Sequence, residues 1–428
     1  MALSENAPDP VLVDPSSQKI DGALYPKART PTDGRPHWCD QSVPAEFKAK
    51  FDPFDDKKDE VEADALKRKA ARGQAISYAE LDFAVQQRTF LFMFFFIGRK
   101  CRLLCWDRAA VVVSTAFDYY TEWEFMCEVF WKISVLHRFA PERLGEDPSA
   151  TRIFPGNPDW VLMNDAVKKN TLVSSAERPL AGEELKDSNF VFEYIHKAWD
   201  ESLDAAWPRY RLEVPHGQTV REFLVCRPYF RAKGLTGRGT RGYVALEKLE
   251  KGTGRFVWLK DAWRVDYEDV EPEGTILERL NKAGVRNIPT LVCHGDILGQ
   301  RTRSHEYWAM KDSPPANPPS HPITPSTASS SRTLVEPEGT TSGGSKRKRV
   351  DDTDEPGGPK PNGLGEDSLL DDCPLRRHIH YRVVVEEVCM PLSMFCTGYQ
   401  LVKLVHDGVV GEHHLSLSCS ARSHICRV

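Results

Sequence analysis

The sequence predicts an α+β protein in which an antiparallel sheet carrying one helix follows a separate α+β module. Three observations predict it. Short aromatic and β-branched runs alternate with glycine-bearing turns, as strands of antiparallel sheets do. Two other stretches carry apolar residues at helical spacing: Phe125, Val129, Phe130, Ile133 and Leu136, then Ile276, Leu277 and Leu280. The third is composition: 40% of the 428 residues are hydrophobic, enough for real cores, yet long Pro/Ser/Gly tracts interrupt them.

Residues 1–50 are rich in Pro, Asp and Ser without helical or strand period and read as a disordered arm. They show no basic start before an apolar core, so no secretory leader is expected. A charged helix follows over 56–72. The run "FLFMFFFI" at 90–97 stops at Gly98-Arg99-Lys100, far short of the roughly 20 apolar residues that span a bilayer. It is a buried strand, and it opens a three-stranded meander whose second turn is Trp106-Asp107-Arg108. That tripeptide reads as a hairpin turn with no chemistry of its own. With a helical stretch over 122–140 and another over 190–204, the α+β module spans 51–215.

A second unit of short strands and one helix covers 216–310. Residues 311–372 are nearly devoid of apolar side chains and dense in Pro, Ser, Gly and Thr, so burial cannot offset the entropy of ordering them. They read as a disordered insertion. Order resumes over 373–428, with a strand through Val388, a helix from about Gly398 and an unusual tail. There is no internal repeat.

Charge and cysteine content exclude some function classes. A formal charge of -5, from 57 basic and 62 acidic residues, provides no overall field toward nucleic acid or anionic membrane. The eleven cysteines form no CxxC pair, and Cys101 and Cys105 lack a second pair to complete four ligands, so no metal site is expected. Reduced, buried thiols fit an intracellular protein.

The motif that carries chemistry is Gly237-x-Gly239-x-x-Gly242-x-Val244. Alone it is a weak signal and fits an ordinary hairpin. A dinucleotide fold needs a helix opening at the third glycine, but "YVALEKLEKGTGRFVWLK" continues as strand, turn and strand. A glycine flap between two strands has another use, in protein kinases, where the backbone covers ATP phosphates and a lysine of V-A-I-K pattern on the next strand reaches them. Val257-Trp258-Leu259-Lys260 stands there, and alternation puts Trp258 and Lys260 on one face. A carboxylate to hold the lysine comes from "EGTILERL": Glu273, 13 residues after Lys260, with Glu278 as competitor. A different motif, His294-Gly295-Asp296, is similar to the H-G-D of aminoglycoside-type phosphotransferases, but Arg301 stands where such a site needs Asn. It reads as a turn between strands.

On "RGQAISYAE", "RLLCWDRAAVVVS", "LTGRGTRGYVA", "WLKDAWR", "EGTILERL" and "RVVVEEVCMPLSMF", the chain resembles the fungal-type protein kinase family from about residue 72 to about 414. The resemblance implies a protein-kinase-like N-lobe, an antiparallel sheet plus one helix. It further implies ATP with Mg²⁺ as cofactor, held by Gly237, Gly239, Gly242, Val244, Lys260 and Glu273. Backbone groups of a hinge from Glu387 to Cys389 would then take the adenine edge. The implied activity is ATP-dependent phosphoryl transfer to protein Ser/Thr.

One departure is plain: H-R-D and D-F-G segments should follow the helix ending near Gly411, yet "EHHLSLSCSARSHICRV" contains no Asp. No catalytic residue is therefore assigned, and the chain as written is expected to be inactive, with a tail that reads as translated intron or shifted frame. The alternative is a non-catalytic nucleotide-binding or scaffold protein with an unknown protein partner, no membrane and no specific nucleic acid. Lys346, Arg347, Lys348 and Arg349 form a basic run whose preferred functional reading is nuclear import, against simple solvation of a linker. Nucleus or cytoplasm is the expected location.

Overall fold

A computed structural model of the chain describes residues 1–6, 18–50, 52–54, 62–166, 171–173, 190–267, 269–310, 375–395 and 397–418. The chain divides into one compact unit, 1–307 with 374–428, and a second of 308–373. The insertion read at 311–372, its basic run at 346–349 and the last ten residues lie outside the described residues.

The first sheet is built from β1 (Ala2–Leu3), β2 (Gly22–Leu24), β3 (Val43–Lys48), β4 (Leu91–Ile97), β5 (Lys100–Trp106), β6 (Val111–Val113) and β7 (Phe117–Asp118). Aromatic burial drives it: β4 reads Leu-Phe-Met-Phe-Phe-Phe-Ile and buries six of these seven side chains. Gly98, at φ 56°, makes the tight turn into antiparallel β5, and β5 pairs with β6 as the meander requires. For the described residues 1–6 and 18–50, the expectation of a disordered arm is corrected here. β3 pairs parallel with β4, β2 and β1 extend that edge, and Ile20, Ala23, Trp38, Val43 and Ala45 are buried. These strands are too short to show a period, but β4 offers a hydrogen-bonding edge that has to be covered.

The crossover from β3 to β4 is α1 (Glu62–Val85), which outruns the expected end at Arg72 by more than three turns. Ala75, Tyr78, Ala79 and Phe83 recur at helical spacing and are buried against the sheet. α2 (Trp123–Phe139) covers the other face through Met126, with Val129, Phe130 and Ile133 half-buried, while Phe125 is exposed.

The second sheet has the strand order β16-β17-β15-β14-β12-β11-β8. In chain order its elements begin with β8 (Ala150–Ile153) and α3 (Pro158–Asp165). The short parallel pair β9 (Thr171–Val173) and β10 (Phe190–Phe192) then leads into α4 (Glu193–Ser202). Next come β11 (Arg209–His216), β12 (Thr219–Val225), β13 (Phe230–Arg231), β14 (Arg241–Lys248), β15 (Thr253–Val265), α5 (Glu273–Lys282), β16 (Leu291–Arg301) and α6 (Ser304–Met310). β17 (His378–Val385) follows the insertion, and α7 (Gly398–Ser418) closes the described chain. Thus β8 and β11, from the sequence-defined module, are strands of the second sheet. The helical backbone runs through Ser418, past the break expected at Gly411.

The sheet curls until its edges meet. Arg221 of β12 donates to the Val292 carbonyl of β16 at 3.3 Å, and a Cβ on Gly295 of β16 would come within 2.7 Å of Pro215 of β11. Leu212, Val214, Phe223, Val225, Ala245, Val257, Leu259 and Val384 fill the inside. His294-Gly295-Asp296 is corrected from turn to strand: it lies within β16, paired with Val383, Arg382 and Tyr381. Glycine serves there for close approach, and Asp296 accepts from Arg264 Nε and Nη2, at 2.7 and 2.6 Å.

Candidate functional site

Strand alternation decides what faces the cleft. In β15, Val257 and Leu259 point into the curled sheet, and Trp258 and Lys260 point out of it. Gly242 of β14 lies opposite Lys260 and Val244 opposite Trp258, so these four share a face. A Cβ on Gly242 would come within 2.3 Å of the Trp258 indole, so the missing side chain is what lets the ring lie flat there.

α5 brings the carboxylate. Leu277 packs on the outward face of β17 beside Tyr381, Val383 and Val385. Gly274 allows the helix start to sit on His294, where a Cβ would meet the ring at 2.1 Å, and its amide donates to the Tyr381 hydroxyl at 2.7 Å. Held this way, Glu273 accepts from Lys260 Nζ at 2.5 Å. Glu278 is turned to solvent and pairs with Lys282 instead. Lys260 and Glu273 are both partly exposed, so the pair itself adds little stability; such pairs contribute about 0–1 kcal/mol.

Glu387 to Cys389 follow β17. The Glu387 carboxylate accepts from the Thr290 amide at 2.8 Å and hydroxyl at 2.6 Å, which ties the segment to the start of β16. Cys389 is exposed, while Val388 is buried. One cleft is lined by Val244 and Trp258 of the sheet, Val388 and Cys389 of this segment, and Tyr194, Lys197, Ala198 and Glu201 of α4.

The glycine loop differs from a free flap. Gly237 and Gly239 adopt φ 94° and 48°, conformations that favour glycine. The Gly237 amide donates to the Arg108 carbonyl at 2.7 Å, and the Gly234 amide to Glu80 of α1 at 2.7 Å. The Arg108 guanidinium donates to the Leu235 carbonyl at 3.1 Å, lies 4.5 Å from the Phe83 ring centroid and fills the space a Cβ on Gly239 would need. Burial pulls this guanidinium below its ordinary pKa. The hairpin turn expected at Trp106-Asp107-Arg108 is present between β5 and β6, and it also braces the glycine loop. Asp107 also accepts the Arg303 and Ser304 amides, at 2.7 and 2.8 Å.

Against this geometry, a family model described as fungal protein kinase matches residues 197–421, just over half of the sequence. The chain belongs to the fungal protein kinase family. No curated protein and no solved structure matches it. The kinase match starts inside α4 and takes in β12, the glycine loop, β14, β15, α5, β16 and β17.

Behind the kinase sheet face lies a charge network that no sequence pattern announced. Asp261, 1% exposed, accepts from Arg241 Nη2 at 2.5 Å, Arg382 Nε at 3.0 Å and His380 Nε2 at 2.5 Å. Arg382 also reaches Asp147 of the preceding module at 2.5 Å. Burial alone would raise the Asp261 carboxyl, but the charges of His380, Arg241 and Arg382 hold it well below the usual carboxylate range. Tyr194 and Arg108 were likewise missed. The one available signal was Trp258, which stands where V-A-I-K has Ala.

Proposed function

We propose that this kinase-family chain binds ATP on the outward face of its second sheet. Lys260 grips the α and β phosphates, Glu273 orients Lys260, and Gly237, Gly239 and Gly242 lie over the phosphates. Val244 and Trp258 take one face of the base, and backbone groups from Glu387 to Cys389 take its edge. The observation carrying the reading is the 2.5 Å Lys260–Glu273 pair, on the same sheet face as the cleft between Trp258 and Val388. A side chain at Gly242 would collide with Trp258, and the cleft walls are largely apolar, as a planar base requires. Among the described residues no group of three or more His, Cys, Asp or Glu is placed to hold a metal, so Mg²⁺ would come with the phosphates.

In the family, bound ATP supplies the phosphoryl group passed to protein Ser/Thr. These 428 residues contain no Asp after Asp407, so the polypeptide assayed by itself is expected to bind nucleotide without transferring phosphate. The experiment is calorimetric titration with ATP, with and without Mg²⁺. Binding that weakens at least about tenfold in Lys260→Met supports the reading; no binding at millimolar ATP, or equal binding by the variant, overturns it.

A scaffold role is supported by a different observation, the exposed Tyr399, Val402, Val405 and Val409 on α7. Among the described residues no helix is long and apolar enough to cross a membrane. For location we retain nucleus or cytoplasm: replacing Lys346, Arg347, Lys348 and Arg349 with Ala is expected to shift a fluorescent fusion out of nuclei.

A further inference from the structure

The helix before the kinase sheet closes the base end of the cleft. Tyr194, Lys197, Ala198 and Glu201 recur at helical spacing and form one stripe of α4, facing Val244 and Trp258 of the sheet. The neighbouring stripe of the helix is anchored. Ile195 and Trp199 are buried, the Trp199 indole lies 5.3 Å from the Phe256 ring, and its Nε1 donates to the Met163 carbonyl at 3.3 Å. α4 is thus a fixed wall, and Tyr194 stands in its first turn.

From that position the Tyr194 hydroxyl donates to the carbonyl of Val388 at 2.6 Å. In the nucleotide reading, Val388 sits in the middle of the segment whose backbone takes the base edge. That segment is not free to move away, because Thr290 holds the neighbouring Glu387 carboxylate through two hydrogen bonds. An exocyclic amine of a purine and the phenol of Tyr194 therefore reach for the same oxygen, and the phenol ring stands between helix and sheet, where the base has to enter.

We propose that Tyr194 is a gate residue that stands in for the base at Val388, so nucleotide enters only when this side chain turns away. The inference rests on the nucleotide reading above. It makes α4 part of the kinase site, although Tyr194 lies just before the family-matched stretch. Nucleotide occupancy would then depend on whatever holds or releases the start of α4.

The test uses the full chain and compares wild type, Tyr194→Phe and Lys260→Met by calorimetry with adenosine and with ATP. Tyr194→Phe keeps the ring and removes only the competing donor. One such bond corresponds to a gain of about two- to tenfold, and the gain should be equal for adenosine and ATP, because the gate acts on the base. Lys260→Met should weaken ATP alone. Tyr194→Leu repeats the comparison without the ring, and thermal melts confirm that each variant is folded. Unchanged or weaker binding by Tyr194→Phe, with wild type binding normally, overturns the gate and leaves the nucleotide reading standing. No binding of either ligand by any variant overturns both.

Discussion

The amide of Gly237 donates to the carbonyl of Arg108 at 2.7 Å, so the tip of the glycine loop is tied to a turn of the preceding module. A loop with positive-φ glycines is costly to order, because glycine loses the most conformational freedom. Here the module meets that cost with Arg108, Phe83 and Glu80. The region before the kinase match is thus a structural partner of the sheet that carries Lys260.

Replacing Arg108 with Met should loosen that loop. The variant loses the bond to Leu235 and the contact with Phe83, at a cost of about 1–3 kcal/mol. Hydrogen exchange of the Gly234 and Gly237 amides should accelerate more than exchange in β15. Equal protection in variant and wild type would show that the loop orders itself.

Gly242→Ala should destabilise the sheet by about 1–3 kcal/mol, because the new methyl meets the Trp258 ring at 2.3 Å. Removing the ring should remove the conflict. In the double variant with Trp258→Ala, the alanine at 242 should cost much less than in wild type, a coupling that urea denaturation measures directly. Additive effects would mean the two positions do not collide. Gly237→Ala meets nothing within 4 Å and should cost only backbone strain.

The buried network predicts loss of stability in acid. Asp261 and Asp147 have folded pKa values held below the unfolded value of about 4, by His380, Arg241 and Arg382 for the first and by Arg382 and His380 for the second. Groups lowered on folding contribute in full above the unfolded pKa, and that contribution is lost as pH falls through the folded one. Urea midpoints should drop steeply below about pH 4. Asp261→Asn leaves buried cations short of charge and should cost about 3–5 kcal/mol at neutral pH while flattening the acid limb.

Asp82 of α1 has the opposite sign. Burial raises its carboxyl to about 8, partly offset by the Arg88 charge and a hydrogen bond from Gln86. A raised group contributes stability below its unfolded pKa and loses it as pH climbs toward the folded value. Asp82→Asn has no proton to lose. Its melting temperature should gain on wild type progressively from about pH 4 to about pH 8 and stay level beyond; a constant offset across that range would contradict the shift.

The sequence by itself determined the strands of 90–113, the helices α2 and α4, and the β14–β15–α5 order that brings Lys260 and Glu273 together. These rest on periodicity and turn chemistry, which are local. Tertiary structure alone decided that residues 18–48 join the first sheet, that α1 runs to Val85, and that His294 to Asp296 lie within a strand. It also decided that Arg108 supports the glycine loop and that Tyr194 reaches Val388. Arg108 is 127 residues from Leu235, and Tyr194 is 194 residues from Val388. A single sequence carries no period across such separations. Which buried polar groups meet is settled only when the packed sheets bring their partners within reach.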